Sequence, residues 1–479
     1  MVSTEVGAFT TTQLKGLTST QLGGLDSATQ EIGLTSTQIA SLSTTQLRGL
    51  TSTEIGALDA ATQLNGFSST DVGALTTTQF TGLVSTEVGA LSTTQLKGLS
   101  STQIGALDSA TQEIGLTSTQ IASLSTAQLK GLTSTEVGAL DAATQLNGLS
   151  STDIGALTTT QITGLVSTEV GALTTTQITG LSSTQLGSLA AATQLIGLTS
   201  TDIGGLSTVQ LKGLTTTQIG SLDSATQEIG LTSTQIGSLT TTQISGLTST
   251  QVGALDSATQ ENGLSSTQIG ALTTTQITGL VSTEIGALTT AQIKGMTTTQ
   301  LASLDTATQE IGLTSTNLGA LTTVQIKGLT STEIGALDAA TQLNGLTSTQ
   351  MGALTTTQVV GLTSTEVGAL STTQIKGLST TDLGVLTTTQ TAGLITTDMV
   401  ALSTAQLNAL TTTVISLLTT DQVPGLTTTG LSSLSIADVQ ALSTSDIEVM
   451  LPAQANAFTA TQIHSMSTAQ INSLIVAIG

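Results

Sequence analysis

Leucine, with Phe or Met as occasional stand-ins, returns at every eighth or ninth position, and this period constrains the fold more than any other feature of the chain. Residues 2–474 divide without a gap into 58 units, 49 of eight residues and nine of nine. Thr51–Leu58, TSTEIGAL, is representative. A hydroxyl residue opens the unit, followed by two small residues and then Gln, Glu or Asp. An aliphatic residue, two small or variable positions and Leu complete it. Each unit is too short to form a core of its own, so its apolar side can be buried only against other units. A length of 479 residues would ordinarily suggest several globular domains. Unbroken repetition predicts one elongated array instead.

Two kinds of octad alternate. The first reads like TSTEIGAL, with Gly or Ala at the sixth position; the second reads like Thr10–Leu17, TTTQLKGL, with Gly at the seventh. Every basic residue (Lys15, Arg48, Lys97, Lys130, Lys212, Lys294, Lys327 and Lys376) stands at the sixth position of the second kind. Through residue 370, the acids at the fourth position belong to the first kind, as in Glu5, Glu54, Glu87 and Glu136. The alternation predicts a coil of two octads, about sixteen residues. Nine-residue units occupy slots of the second kind and begin at Asp26, Asp59, Asp108, Asp141, Ala190, Asp223, Asp256, Asp305 and Asp338. Asp26, Asp108 and Ala190 are 82 residues apart, so ten units form a longer, duplicated segment. The added residue either adjusts the twist of the array or is a tolerated relic of duplication. Beyond residue 378 the pattern loosens, with Pro424 in TTDQVPGL, LPAQANAF at 451–458 and a final LIVAIG. We therefore expect a regular solenoid over 1–378 and a diverged capping or assembly region over 379–479.

Both helix and strand compete for the octad. Thr, Val and Ile favour strands, and three hydroxyl residues with a glycine make a poor helix interior. The local chemistry favours helix. Thr51 and Glu54 have the spacing of a capping box, in which each side chain accepts from the other's free backbone N–H. Leu50 and Ile55 fall at the two positions of a hydrophobic staple. The paired apolar positions are three apart, which places them on one helical face, whereas strand alternation needs an even separation. Asp, which opens most nine-residue units, is a good N-cap, and Pro452 lies at the first helical position, where proline is accepted. The fold class is accordingly all-α, a solenoid of very short capped helices. A β-solenoid is the alternative.

The chain is acidic and poor in functional side chains. Thirty acids against eight bases give a formal net charge of −22, opposite to a nucleic-acid footprint. Only 8% of residues are charged and aromatics are nearly absent, so the surface is hydroxyl-rich and offers no base-stacking platform. No cysteine is present, which excludes disulfides and thiolate metal sites. MVSTEVGAF at the start lacks a basic region and a long apolar run, so an ordinary signal peptide is not expected. No stretch of about 18 apolar residues is present to suggest a transmembrane segment.

Catalytic, cofactor-binding and metal residues are all read as none. His464, the only histidine, occupies a variable position without a paired ligand. The Ser and Thr residues have no general base nearby in sequence and are better explained as caps. Neither GxGxxG nor GxxxxGK[ST] occurs; Gly56 and its equivalents suit close packing. Glu54, Glu87 and Glu136 could align as a cation-holding stripe, but Ca²⁺ needs six to eight oxygens, and solvated capping acids are the simpler reading. Rows such as Thr10-Thr11-Thr12 suggest an ice-binding surface only under the strand reading.

Written out as LTSTEIGAL, LTTTQITGL and LSTTQLKGL, the chain resembles octapeptide-repeat segments of large bacterial cell-surface and secreted proteins. The likeness covers residues 2 to about 378 well and the remainder loosely. It implies an extracellular stalk, filament, surface-layer or adhesin element, with no catalytic residues to carry over. The leading expectation is a structural rod that self-associates head to tail as a homopolymer, with possible cell-surface attachment. An adhesin stalk or interaction scaffold is the alternative, and an ice-binding solenoid the next.

Overall fold

A computed structural model of the protein describes residues 2–30 and 33–479. It is a succession of short helices, most of four to six residues, and among the described residues there is no strand. The helical reading of the octad holds, and the β-solenoid alternative is set aside. Thr51 has an extended backbone (φ −81°, ψ 166°) and its hydroxyl accepts from the Glu54 N–H, while Ser52–Ile55 is helical. The reciprocal bond runs from the Thr51 N–H to the Glu54 carboxylate. Gln fills the same role in most units: the Thr10 N–H donates to Gln13 Oε1 at 2.8 Å, and the Gln13 N–H to Thr10 Oγ1 at 3.2 Å. The helix ends after about one turn because its carbonyls are captured early, as in Leu58 N–H to Ile55 O. The closing leucine is extended (φ −61°, ψ 144° at Leu75). Ile55 and Leu58 are buried, as is Leu50 before the cap.

Nine-residue units take up their added residue inside the opening turn. Asp59 Oδ1 accepts from the N–H groups of Ala61 and Thr62 and from the Thr62 hydroxyl. The Asp59 N–H now reaches a glutamine four residues on, Gln63, instead of three. A single 3₁₀ turn, Leu64–Gly66, follows. Gln, the residue after it and the closing leucine keep their structural places. The added residue thus widens the opening turn and leaves a 3₁₀ turn where the octads have an α-helix, while the interlayer bond of the glutamine is kept.

The chain forms two compact units, Met1–Gly246 and Leu247–Gly479. Within each, successive octads wind into helical layers, and the spacing between layers corrects one expectation. Glutamine amides reach back 28–29 and 31–32 residues, as Gln46 does to Leu17 and Leu14. Glycine-mediated contacts link units three apart, as between Gly56 and Gly82. One turn of the solenoid therefore takes between three and four octads, not two. A two-octad coil would require the chain to reverse direction at every junction. The junction is only an extended leucine and an extended cap residue, which turns a corner but cannot fold back. Layering of this kind continues past residue 379: Gln390 donates to Val359 O and Gln406 to Ile375 O.

Candidate functional site

The chemistry of this protein is concentrated between its layers, and glutamine is the residue that organises it. Gln79 Oε1 accepts from the Thr76 N–H at 2.9 Å, which closes its own helix cap. Its amide nitrogen donates to Leu47 O at 2.7 Å and Leu50 O at 2.6 Å, four units earlier. Those carbonyls belong to the end of a helix, where the only donor from the same unit is the Leu50 N–H to Leu47 O. One buried side chain is thus the N-cap partner of one helix and the C-terminal cap of another. The pattern recurs at Gln128, Gln161, Gln350 and Gln454, among others. A capping box accepts Glu as readily as Gln, so the abundance of Gln at this position was the sequence signal for an additional donor role, and local reasoning passed over it.

Glycine explains the two kinds of octad. A Cβ on Gly56, at the sixth position of a first-kind unit, would run into the carbonyl oxygen of Gly82. Gly82 is at the seventh position of a second-kind unit three units on, and a Cβ there would run into Ser52 O. Because three is odd, each such contact joins unlike kinds, and the alternation in sequence is the trace of this stacking.

Acids at the glutamine position lack the amide donor. Asp202 is buried and accepts from the hydroxyl of Thr175, three units back, at 2.8 Å; Asp438 receives Thr412 in the same way at 2.9 Å. Glu54 and Glu136 are buried, whereas Glu87 is only partly so. Burial pushes the carboxyls of Glu87, Glu284 and Glu366 up, against the lowering effect of the cap N–H each receives. The exposed cap acids behave oppositely: the hydroxyl of Thr62 and its N–H hold Asp59 below the usual range.

A further set of acids was not anticipated. Glu113, Glu228, Glu261 and Glu310 follow the glutamine of their nine-residue units and are no more than 2% exposed. The same slot holds buried leucine at 64, 146, 195 and 343. In DSATQEIGL the glutamate points inward and Ile114 outward, at 58% exposure. Gln112 sets this direction by its bond to Phe80 O. Local hydrophobicity would have placed the isoleucine inside.

No group of three or more metal-capable acids or imidazoles occurs among the described residues. His464 is exposed, with Nδ1 2.6 Å from the Ala460 carbonyl. Among the described residues no helix is long and apolar enough to cross a membrane. The N-cap hydroxyls that would have made flat ice-binding rows in a β-solenoid are instead engaged in caps, as at Thr10. A surface hollow lined by Ile395, Thr396, Thr419, Asp421 and Pro424 includes one carboxylate and no partner acid or base in its wall.

A family model for the ALTTAQ repeat matches residues 392–428. That stretch includes Ser403–Leu410, STAQLNAL, in which Gln406 makes the same cap and interlayer bonds as the regular octads. No curated protein matches the chain. The matched segment is a repeat segment.

Proposed function

We propose that this chain is a structural element of the bacterial exterior, a rod that assembles head to tail into a filament or surface layer. A regular helical solenoid of repeated units supports a structural or scaffold role, and the directional glutamine ladder carries the finer reading. Each layer sends amide donors toward the preceding layer and offers carbonyl acceptors to the next, as Gln79 and Leu47 exemplify. An interface that repeats with one polarity is the type that extends between identical copies in a heterologous, head-to-tail manner. Electron microscopy of the purified protein over a range of concentrations tests this: filaments that lengthen with concentration are expected, and monodisperse short rods at the highest concentration would sink it. The extracellular placement draws on the resemblance to surface repeat proteins, on the lack of cysteine and on the scarcity of tryptic sites. Labelling of intact source cells with a membrane-impermeant reagent tests it, and protein that reacts only after lysis would remove it. The proposal includes no catalysis and no cofactor.

The second reading is an interaction scaffold or adhesin stalk. It is favoured by isolated apolar side chains on the outer surface, Val84, Ile114, Val166 and Ile196 among them, all about half exposed or more.

A further inference from the structure

Among the described residues, four glutamates occupy positions that their sister units give to leucine. Glu113, Glu228, Glu261 and Glu310 are 0–2% exposed, and for Glu113, Glu261 and Glu310 neither carboxyl oxygen has a hydrogen-bond partner. A buried carboxylate without donors is costly, so such a group takes up a proton. The charged groups around them are mostly other acids. For Glu113 these are Glu136, which adds repulsion, Asp108 in its own unit, Glu87 on the helix Ser85–Ala90 packed against it, and Asp141 in the unit whose Gln145 donates to the Glu113 carbonyl. Glu284 acts on Glu261, whose unit carries Asp256 and meets the helix Thr290–Gly295 with Lys294. Glu333 acts on Glu310, whose unit carries Asp305 and meets Glu284 on the helix Ser282–Ala287 and the unit of Asp338. Asp223 acts on Glu228, whose unit also meets Asp202 on the helix Ser200–Gly205. Burial first, and the neighbouring acid second, push Glu113 up to about 9 and the other three up to about 8.

We propose that Glu113, Glu261 and Glu310 are built-in pH-sensitive joints, at which the layers close when the carboxyl is protonated and loosen when it ionises in mild alkali. The direction follows from linkage. Each folded-state pKa lies above the unfolded value of about 4.5, so the stabilising contribution is complete below that value. It declines as pH rises and is gone above about 8–9. Opening of a layer releases a proton throughout that window. Units with leucine in the slot lack this response, so sensitive and insensitive segments both occur along the array. This inference does not depend on where the protein resides or whether it polymerises.

Hydrogen exchange of the full chain followed by mass spectrometry between pH 5.5 and 8 tests it, with rates corrected for intrinsic exchange. Peptides over 108–116, 256–264 and 305–313 should show local opening constants rising about tenfold per pH unit. Those over 68–75 and 150–157, whose layer contacts are with octads that lack the glutamate, as in Gln103 to Leu75 O and Gln185 to Leu157 O, should show no such rise. Full-length protein carrying E113L, E261L and E310L together should lose the steep dependence, and so should the matching threefold Gln variant, which keeps a polar group but cannot ionise. Opening independent of pH in the glutamate units, or a steep dependence that persists in both variants, would overturn the proposal.

Discussion

At the residue scale, the interlayer glutamine has a consequence that separates it from an ordinary capping residue. Replacement of Gln79 by Met removes the acceptor for the Thr76 N–H and the donor for Leu50 O, and leaves Leu47 O with the Leu50 N–H alone. Buried polar groups left without partners cost roughly 1–3 kcal/mol each. A local destabilisation of about 3 kcal/mol is expected, read as faster amide exchange in residues 47–58 as well as in 76–83. Loss confined to the second stretch would show that the amide merely caps its own helix. Glycine is a parallel case. Gly82→Ala drives a methyl into the Ser52 carbonyl and should lower the thermal midpoint, at a cost of about 1–3 kcal/mol. Gly384→Ala meets nothing nearer than Ala409 O at 3.3 Å and should cost less than Gly82→Ala in the same thermal scan.

At the element scale, each helix is too short to persist by itself and is held at its start by the cap and at its end by another unit. Nature has weakened some caps. Val84, Val166 and Val281 stand at the N-cap, where only the glutamate half of the box is made, as in Val84 N–H to Glu87 at 2.7 Å. Changing the three to Thr together should restore the hydroxyl half and stabilise each helix by about 0.5–1 kcal/mol, seen as a higher denaturation midpoint. This part of the fold was legible in the sequence. Thr51, Glu54, Leu50 and Ile55 all lie within six residues, and the cap they form is a local matter of hydrogen-bonding reach. The glutamate slot was not legible. Glu113 and Ile114 are adjacent, and which of them faces inward is decided by Gln112 gripping a carbonyl 32 residues away.

At the scale of the whole molecule, two predictions follow from layering and charge. Deletion of the single octad 92–99 would bring units of the same kind opposite each other across the junction and break the glycine contacts there. Deletion of 92–107 removes twice as much chain but keeps unlike kinds in register. The shorter deletion should therefore be the more damaging, as judged by the loss of helical circular dichroism on heating; equal damage would disprove the pairing of kinds. Stability should also depend on pH in both directions. Cap acids such as Asp59 and Asp108, held below 3.8 by threonine hydrogen bonds, contribute above that value and are lost in stronger acid. The buried glutamates contribute below about 4.5 and are lost toward 8–9. The optimum should lie at about pH 4–5, and a thermal midpoint that rises steadily from pH 5 to 9 would contradict it.

The sequence by itself determined the octad, its helical start and its buried face, because capping and 3.6-residue spacing act over a single turn. Tertiary structure decided how many octads make a layer, why glutamine is preferred to glutamate, and why glycine shifts between two positions. Those answers rest on groups 25–32 residues apart that meet only once the chain has wound back on itself. The leucine period records that something must be buried every eight residues. What it is buried against is set by the corner an extended Leu–Thr junction can turn.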